Sequence, residues 1–215
     1  MKKQLAVLVP VLVTLIMFFV CKAFSQEAGL TAENPLGIDT KTRSVSILAF
    51  YNARHPEPTH HGIVAKTGKL YRKSFFVALA DPKAFHDALT KAGFKPGNNM
   101  TMDNMEKTFV KGDILDVSVS WKGGKRPYSL DELIRDSNGK PLAVRFGGNL
   151  ALAVKKNTGC LLCLDSCPVG ITSNSSYTYG AIDNRKEVMF IGNTEALPAD
   201  GTLVVITFRP KKQER

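Results

Sequence analysis

Three cysteines stand within eight residues, Cys160, Cys163 and Cys167, in the run GCLLCLDSCPVG over 159–170. Thiols spaced C-x2-C-x3-C-P can ligate a metal ion, close a disulfide, or exchange one disulfide for another. The leucines between the sulfurs point to a buttressed site rather than a free tail. This segment is the candidate functional site, and its chemistry depends on what else reaches it.

An iron–sulfur centre is the first option. Bacterial cluster-binding runs read C-x2-C-x2-C-x3-C-P, and the last three cysteines and the proline are all here, with Asn157 where the first cysteine would stand. A zinc or other soft-metal site is the second. Structural zinc takes four ligands, and the adjacent pair His60 and His61 is the candidate fourth donor, with Asp165 as another. A disulfide is the third, with Cys160–Cys163, Cys163–Cys167 and Cys160–Cys167 as the pairings. Thiol–disulfide exchange would favour C-x-x-C at a helix N-terminus, where the dipole acidifies the thiol, but Pro168 and Gly170 would break such a helix. No G-x-S-x-G, H-E-x-x-H or phosphate-binding loop is present.

The elements that must position these groups follow from apolar periodicity. Alternation predicts strands over 43–51, 61–65 and 115–121, and a continuous apolar run predicts a buried strand over 74–80. Asp81 followed by Pro82 opens a helix that Gly93 stops, with Phe85, Ala88, Leu89 and Ala92 on its buried face. Ser129 and Glu132 form a capping box for a short helix, and 150–156 reads as another. Closing strands are expected over 177–182, 188–191 and 203–208. Strands outnumber helices and do not alternate with them. The fold class is therefore α+β, with a mostly antiparallel sheet and two or three short helices in a single domain.

The chain has 215 residues, 44% of them hydrophobic and 22% charged, enough for one domain with a sizeable core. Lys2 and Lys3 precede an apolar run over 5–20 broken only by Thr14, and Ala23 and Ser25 supply small residues before Gln26. That pattern predicts a signal peptide over 1–25 and export to the periplasm or cell envelope, with an uncleaved membrane anchor as the competing reading. Cys21 follows Phe18, Phe19 and Val20, a poor context for a lipid anchor. The organisation expected is an arm over 26–42 (loose over 26–35), the α+β domain over 43–210, and a basic tail over 211–215. The formal net charge of +10 falls by three when Lys2, Lys3 and Lys22 leave with the leader. A basic exported protein invites peripheral contact with anionic membrane. No basic stripe is interleaved with aromatics, so nucleic acid is not an expected partner.

Beyond patterning, five blocks resemble the YdjY family of bacterial proteins. They are 33–39 (ENPLGID), 57–64 (EPTHHGIV), 97–99 (GNN), 145–149 (RFGGN) and 159–174 (GCLLCLDSCPVGITSN). Members of that family are often labelled ferredoxin-like. The resemblance implies a single exported bacterial domain in which His61 and the three cysteines belong to one shared pattern. The sequence reading is thus a non-enzymatic envelope protein. Its Cys160, Cys163 and Cys167 bind zinc or an iron–sulfur cluster with His61 or His60 as fourth ligand, and a redox or envelope protein is the expected partner. A disulfide-stabilised binding module and a thiol–disulfide exchange protein are the rival readings.

Overall fold

The computed structural model describes residues 29–55 and 57–211. The leader expected over 1–25, with Cys21, and the tail beyond Lys211 lie outside them. Twelve strands are present among the described residues: β1 Leu36–Asp39, β2 Ser44–Tyr51, β3 His61–Ala65, β4 Phe76–Ala78, β5 Leu115–Trp121, β6 Tyr128–Ser129, β7 Ile134–Asp136, β8 Val144–Phe146, β9 Cys160–Cys163, β10 Thr172–Asn174, β11 Phe190–Gly192 and β12 Leu203–Pro210. Three helices accompany them, α1 Pro82–Lys91, α2 Leu130–Leu133 and α3 Leu150–Lys156, with a 3-10 turn at Tyr71–Lys73.

Ten strands form one sheet in the order β6-β5-β12-β2-β4-β3-β9-β10-β8, with β1 added on β2, while β7 and β11 pair separately. Most pairs are antiparallel; β3–β4 and β9–β10 are parallel. Strand β8, at one end of the path, meets the segment leading into β5, next to the other end, where Ile114 bridges Arg145 and the Phe146 N–H donates to the Asp113 carbonyl, so the sheet curls on itself. Inside the curl lie Val45, Ile47, Ala49 and Tyr51 of β2, Val119, Ile206 and Phe208 from β5 and β12, and the buried face of α1. Asp81 caps α1 by accepting the Ala84 N–H, and Phe85 packs its ring 4.8 Å from that of Phe208. This single α+β domain, mostly antiparallel, is the expected class.

Several local expectations change. The arm is built into the fold: β1 pairs with β2 from Leu36 to Asp39, and Leu30 is buried against Leu48 and Val205. Residues 177–182 form turns instead of a strand, because Gly180 adopts a positive φ and Arg185 donates to the carbonyls of Thr178 and Tyr179. Strands β7 and β8 arise where patterning assigned none. Most consequential are β9 and β10, which put the cysteine run in the middle of the sheet. Asn157 is the exposed C-cap of α3, with φ of 48°.

Candidate metal centre

Two cysteines at C-x2-C spacing in a regular strand point to opposite faces, since side chains alternate. Here they share a face because the β3–β9 ladder is irregular twice. His61 faces Cys163, Ile63 faces Leu162, and Val64 faces Cys160. The first step passes two residues on β3 for one on β9, making Gly62 the extra residue. The second passes one on β3 for two on β9, making Leu161 the extra residue. Each bulge reverses the alternation of its own strand. Leu161 and Leu162 consequently both enter the main core, while Cys160 and Cys163 join Cys167 and Val64 in a separate cluster. Gly62 suits its bulge because a Cβ there would stand 2.5 Å from Leu162 Cδ2.

The loop that delivers Cys167 is buried, so its polar groups need partners inside the protein. Polar side chains that patterning did not single out supply them. Asn174 donates from Nδ2 to the Leu164 carbonyl, and its Oδ1 accepts the N–H groups of Ala143 and Ser176. Ser166 Oγ accepts the Val110 N–H, Asn149 Nδ2 donates to the Cys167 carbonyl, and Ser173 Oγ accepts the Cys167 N–H. Thr172 Oγ1 donates to the carbonyl of Leu161, the bulged residue, at 2.7 Å. Gly170 passes so close to the site that a Cβ there would stand 3.1 Å from Cys163 Sγ.

All three thiols are free and at most 1% exposed. Leu70, Tyr71, Val169 and Tyr179 pack around them. A hydrogen bond from Cys163 holds Cys160 well below the usual thiol range, against the effect of burial and with help from His61. Cys163 is correspondingly pushed up, by its contacts with Cys160 and Cys167 and by burial.

The two histidines divide. His61 is buried, with Nδ1 3.6 Å from Cys160 Sγ. His60 packs against it with its ring tilted by 50° and centroids 3.9 Å apart, but directs Nδ1 to Asp183 Oδ2 at 2.5 Å. Burial disfavours the charged form of His60, yet the Asp183 hydrogen bond and the nearby Asp165 carboxylate outweigh it and raise its pKa. Asp165 is buried; its Oδ2 accepts the Gly180 N–H, and Oδ1 has no partner among the described residues. Burial pushes its carboxyl up to about 7. Tyr179 is pushed up to about 12, mainly by burial and then by Cys167. The three sulfurs lie together in one buried cluster. No group of three or more His, Cys, Asp or Glu donors among the described residues stands at ion-holding geometry.

No solved structure matches the chain. The YdjY domain model matches residues 36–209, spanning β1 through nearly all of β12. Over 182 residues the chain is 54% identical to "Uncharacterized protein YdjY" of Escherichia coli (strain K12), covering 84% of this chain and 81% of that protein. The chain belongs to the YdjY family.

Proposed function

We propose that this is an exported envelope protein that binds one soft metal ion through Cys160, Cys163, Cys167 and His61, and that the ion pins the 159–170 loop against the sheet. The observation that carries this reading is the paired bulge at Gly62 and Leu161, which collects two sulfurs and an imidazole on one face beside Cys167. Three cysteines and one histidine are a known structural zinc set, and a thiolate is the form that binds. Iron–sulfur clusters of the ferredoxin type take four cysteines, and the position matching the first of these is Asn157, an exposed helix cap. A single ion is therefore favoured over a cluster. Zinc supplies no electron chemistry; with iron in the same ligands the site would serve electron transfer to a redox partner.

Burial opposes the exchange reading, since an attacking thiolate must reach its target. Export rests on the charged, apolar and small-residue pattern of 1–25. Among the described residues no helix is long and apolar enough to cross a membrane.

The test is native mass spectrometry of the mature protein isolated anaerobically without reductant. One zinc-sized adduct per chain is expected, lost in Cys160→Ser, Cys163→Ser and Cys167→Ser alike. A chain two hydrogens light with no adduct would mean a disulfide, and an iron-plus-sulfide adduct would mean a cluster; either overturns the single-ion reading.

A further inference from the structure

A second feature lies on the same outer face of the sheet. Phe50 of β2 faces Val77 of β4, Val77 faces Val64 of β3, and Val64 faces Cys160 of β9. Directly paired residues project to one side, so this row runs from the thiol cluster outward. At its far end is a cleft of about 490 Å³, within the usual range for small-molecule sites. Phe50, Val77 and Tyr71 give it an apolar floor and wall, and Arg54, Lys66, Arg72 and Asp200 surround them.

The charges around the cleft do not balance. Arg54 Nε lies 3.3 Å from Asp200, which consumes the one acid. Lys66 and Arg72 have no carboxylate within ion-pair distance among the described residues. Arg72 is held in place, its Nε donating to the Tyr71 hydroxyl at 2.9 Å. The backbone of the turn is fixed as well, because Asn52 Nδ2 donates to the carbonyls of Arg72 and Ser74. An apolar cavity with two uncompensated cations on a braced frame matches a ligand with a flat or extended apolar body and a single anionic head.

We propose that this cleft binds a small amphipathic carboxylate, its apolar body against Phe50, Val77 and Tyr71 and its head between Lys66 and Arg72. The site is independent of the metal reading, although Tyr71 both lines the cleft and packs on the thiol cluster.

Isothermal titration of the mature protein with 2-naphthoate, and with the neutral 2-naphthamide, tests it. Saturable one-to-one binding of the naphthoate is expected, with the amide bound at least about tenfold more weakly. That factor follows from the loss of a charge-assisted hydrogen bond. Lys66→Gln and Arg72→Gln should each weaken the naphthoate by about tenfold and leave the amide unchanged. Val77→Trp should fill the cleft and abolish both, with the thermal melt checked to confirm folding. Phe50→Ala, which keeps the cations and strips the floor, is the second variant should the tryptophan not fold, and it should weaken both ligands. No saturable binding, equal binding of acid and amide, or full binding by folded Val77→Trp or by Phe50→Ala would overturn the proposal.

Discussion

If the bulge at Leu161 is what turns the two cysteines to one face, loosening the bulge should loosen the site without touching a ligand. Thr172→Val is the cleanest perturbation. Thr172 is fully buried, and its Oγ1 donates to the Leu161 carbonyl at 2.7 Å. Valine has nearly the same shape but cannot donate, so the change removes one short hydrogen bond and strands a buried acceptor. A typical buried bond contributes about 1 kcal/mol net, rising toward about 3 kcal/mol where the orphaned group finds no water. A loss of about 1–2 kcal/mol is therefore expected in urea unfolding of the metal-free protein. Zinc affinity, measured by competition with a chromophoric chelator, should fall roughly tenfold, because about 1.4 kcal/mol of the preorganisation is surrendered. Thr172→Ser is the control: it keeps the donor and loses a methyl, so it should cost about 1 kcal/mol of stability while affinity stays near wild type. If Thr172→Val retains wild-type zinc affinity, or if Thr172→Ser loses as much affinity as Thr172→Val, the bulge does not set the site.

Four further outcomes follow from the same geometry. His61→Ala should lower zinc affinity much more than His60→Ala, because only His61 stands beside Cys160 while His60 is engaged with Asp183; a chelator titration of both variants decides it. Gly170→Ala should destabilise by about 1–3 kcal/mol in urea unfolding, since its Cβ would stand 2.7 Å from Ser173 Oγ and 2.9 Å from the Thr172 carbonyl. The metal-free thiols should react with a bulky disulfide reagent only at the rate of unfolding, because each is at most 1% exposed; a fast native-state reaction would contradict that burial. Asp165, raised from 3.8 to about 7 by burial, binds its proton more tightly folded than unfolded. Its contribution is fully present below about pH 4 and lost as pH rises through about 7. Urea midpoints of Asp165→Asn should accordingly lack a decline that wild type shows between those limits.

The sequence made the frame readable and left its centre obscure, for physical reasons that differ from element to element. Strand β5 is buried on one face and alternates cleanly, β2 keeps Val45, Ile47, Ala49 and Tyr51 in step on its core face although Leu48 is buried on the other, and α1 carries both its cap and its stop, so each signal is local. Strand β9 is the opposite case. All four of its residues are buried, between β3 on one edge and β10 on the other, and it contains a bulge. Neither alternation nor periodicity survives such an arrangement. The three residues of β8 and of β10 are too short to carry a period at all. The cysteines and His61 were visible as residue types. Asn149, Ser166, Thr172, Ser173 and Asn174 fell inside the 145–149 and 159–174 blocks without a legible role, because a polar residue in a buried loop looks in sequence like one in an exposed turn. The available hint was that so many polar side chains cluster within 166–176 beside an apolar, cysteine-bearing stretch.

The paired bulge also bears on how the C-x2-C spacing should be understood here. In a loop or at a helix start, that spacing brings two sulfurs together through the local turn, and neighbouring strands need contribute nothing. In β9 the same spacing works only because β3 answers with its own irregularity at Gly62, where a Cβ would collide with Leu162. The glycine after His61 is therefore as much a part of the cysteine site as Leu161. Gly62→Ala should force β3 back toward regular pairing, or push Leu162 out of the core. The penalty expected is roughly 1–3 kcal/mol for a contact this close, read as a shift in the urea midpoint. Its effect on zinc affinity should exceed that of Gly68→Ala, although there too a Cβ would clash with backbone, 2.3 Å from Gly159 Cα. Gly68 lies beyond the bulged pairs, so its replacement should cost stability first and affinity only in proportion. Equal losses of affinity at matched losses of stability would show that general loosening, and not the face exchange at Gly62, is what the thiols respond to.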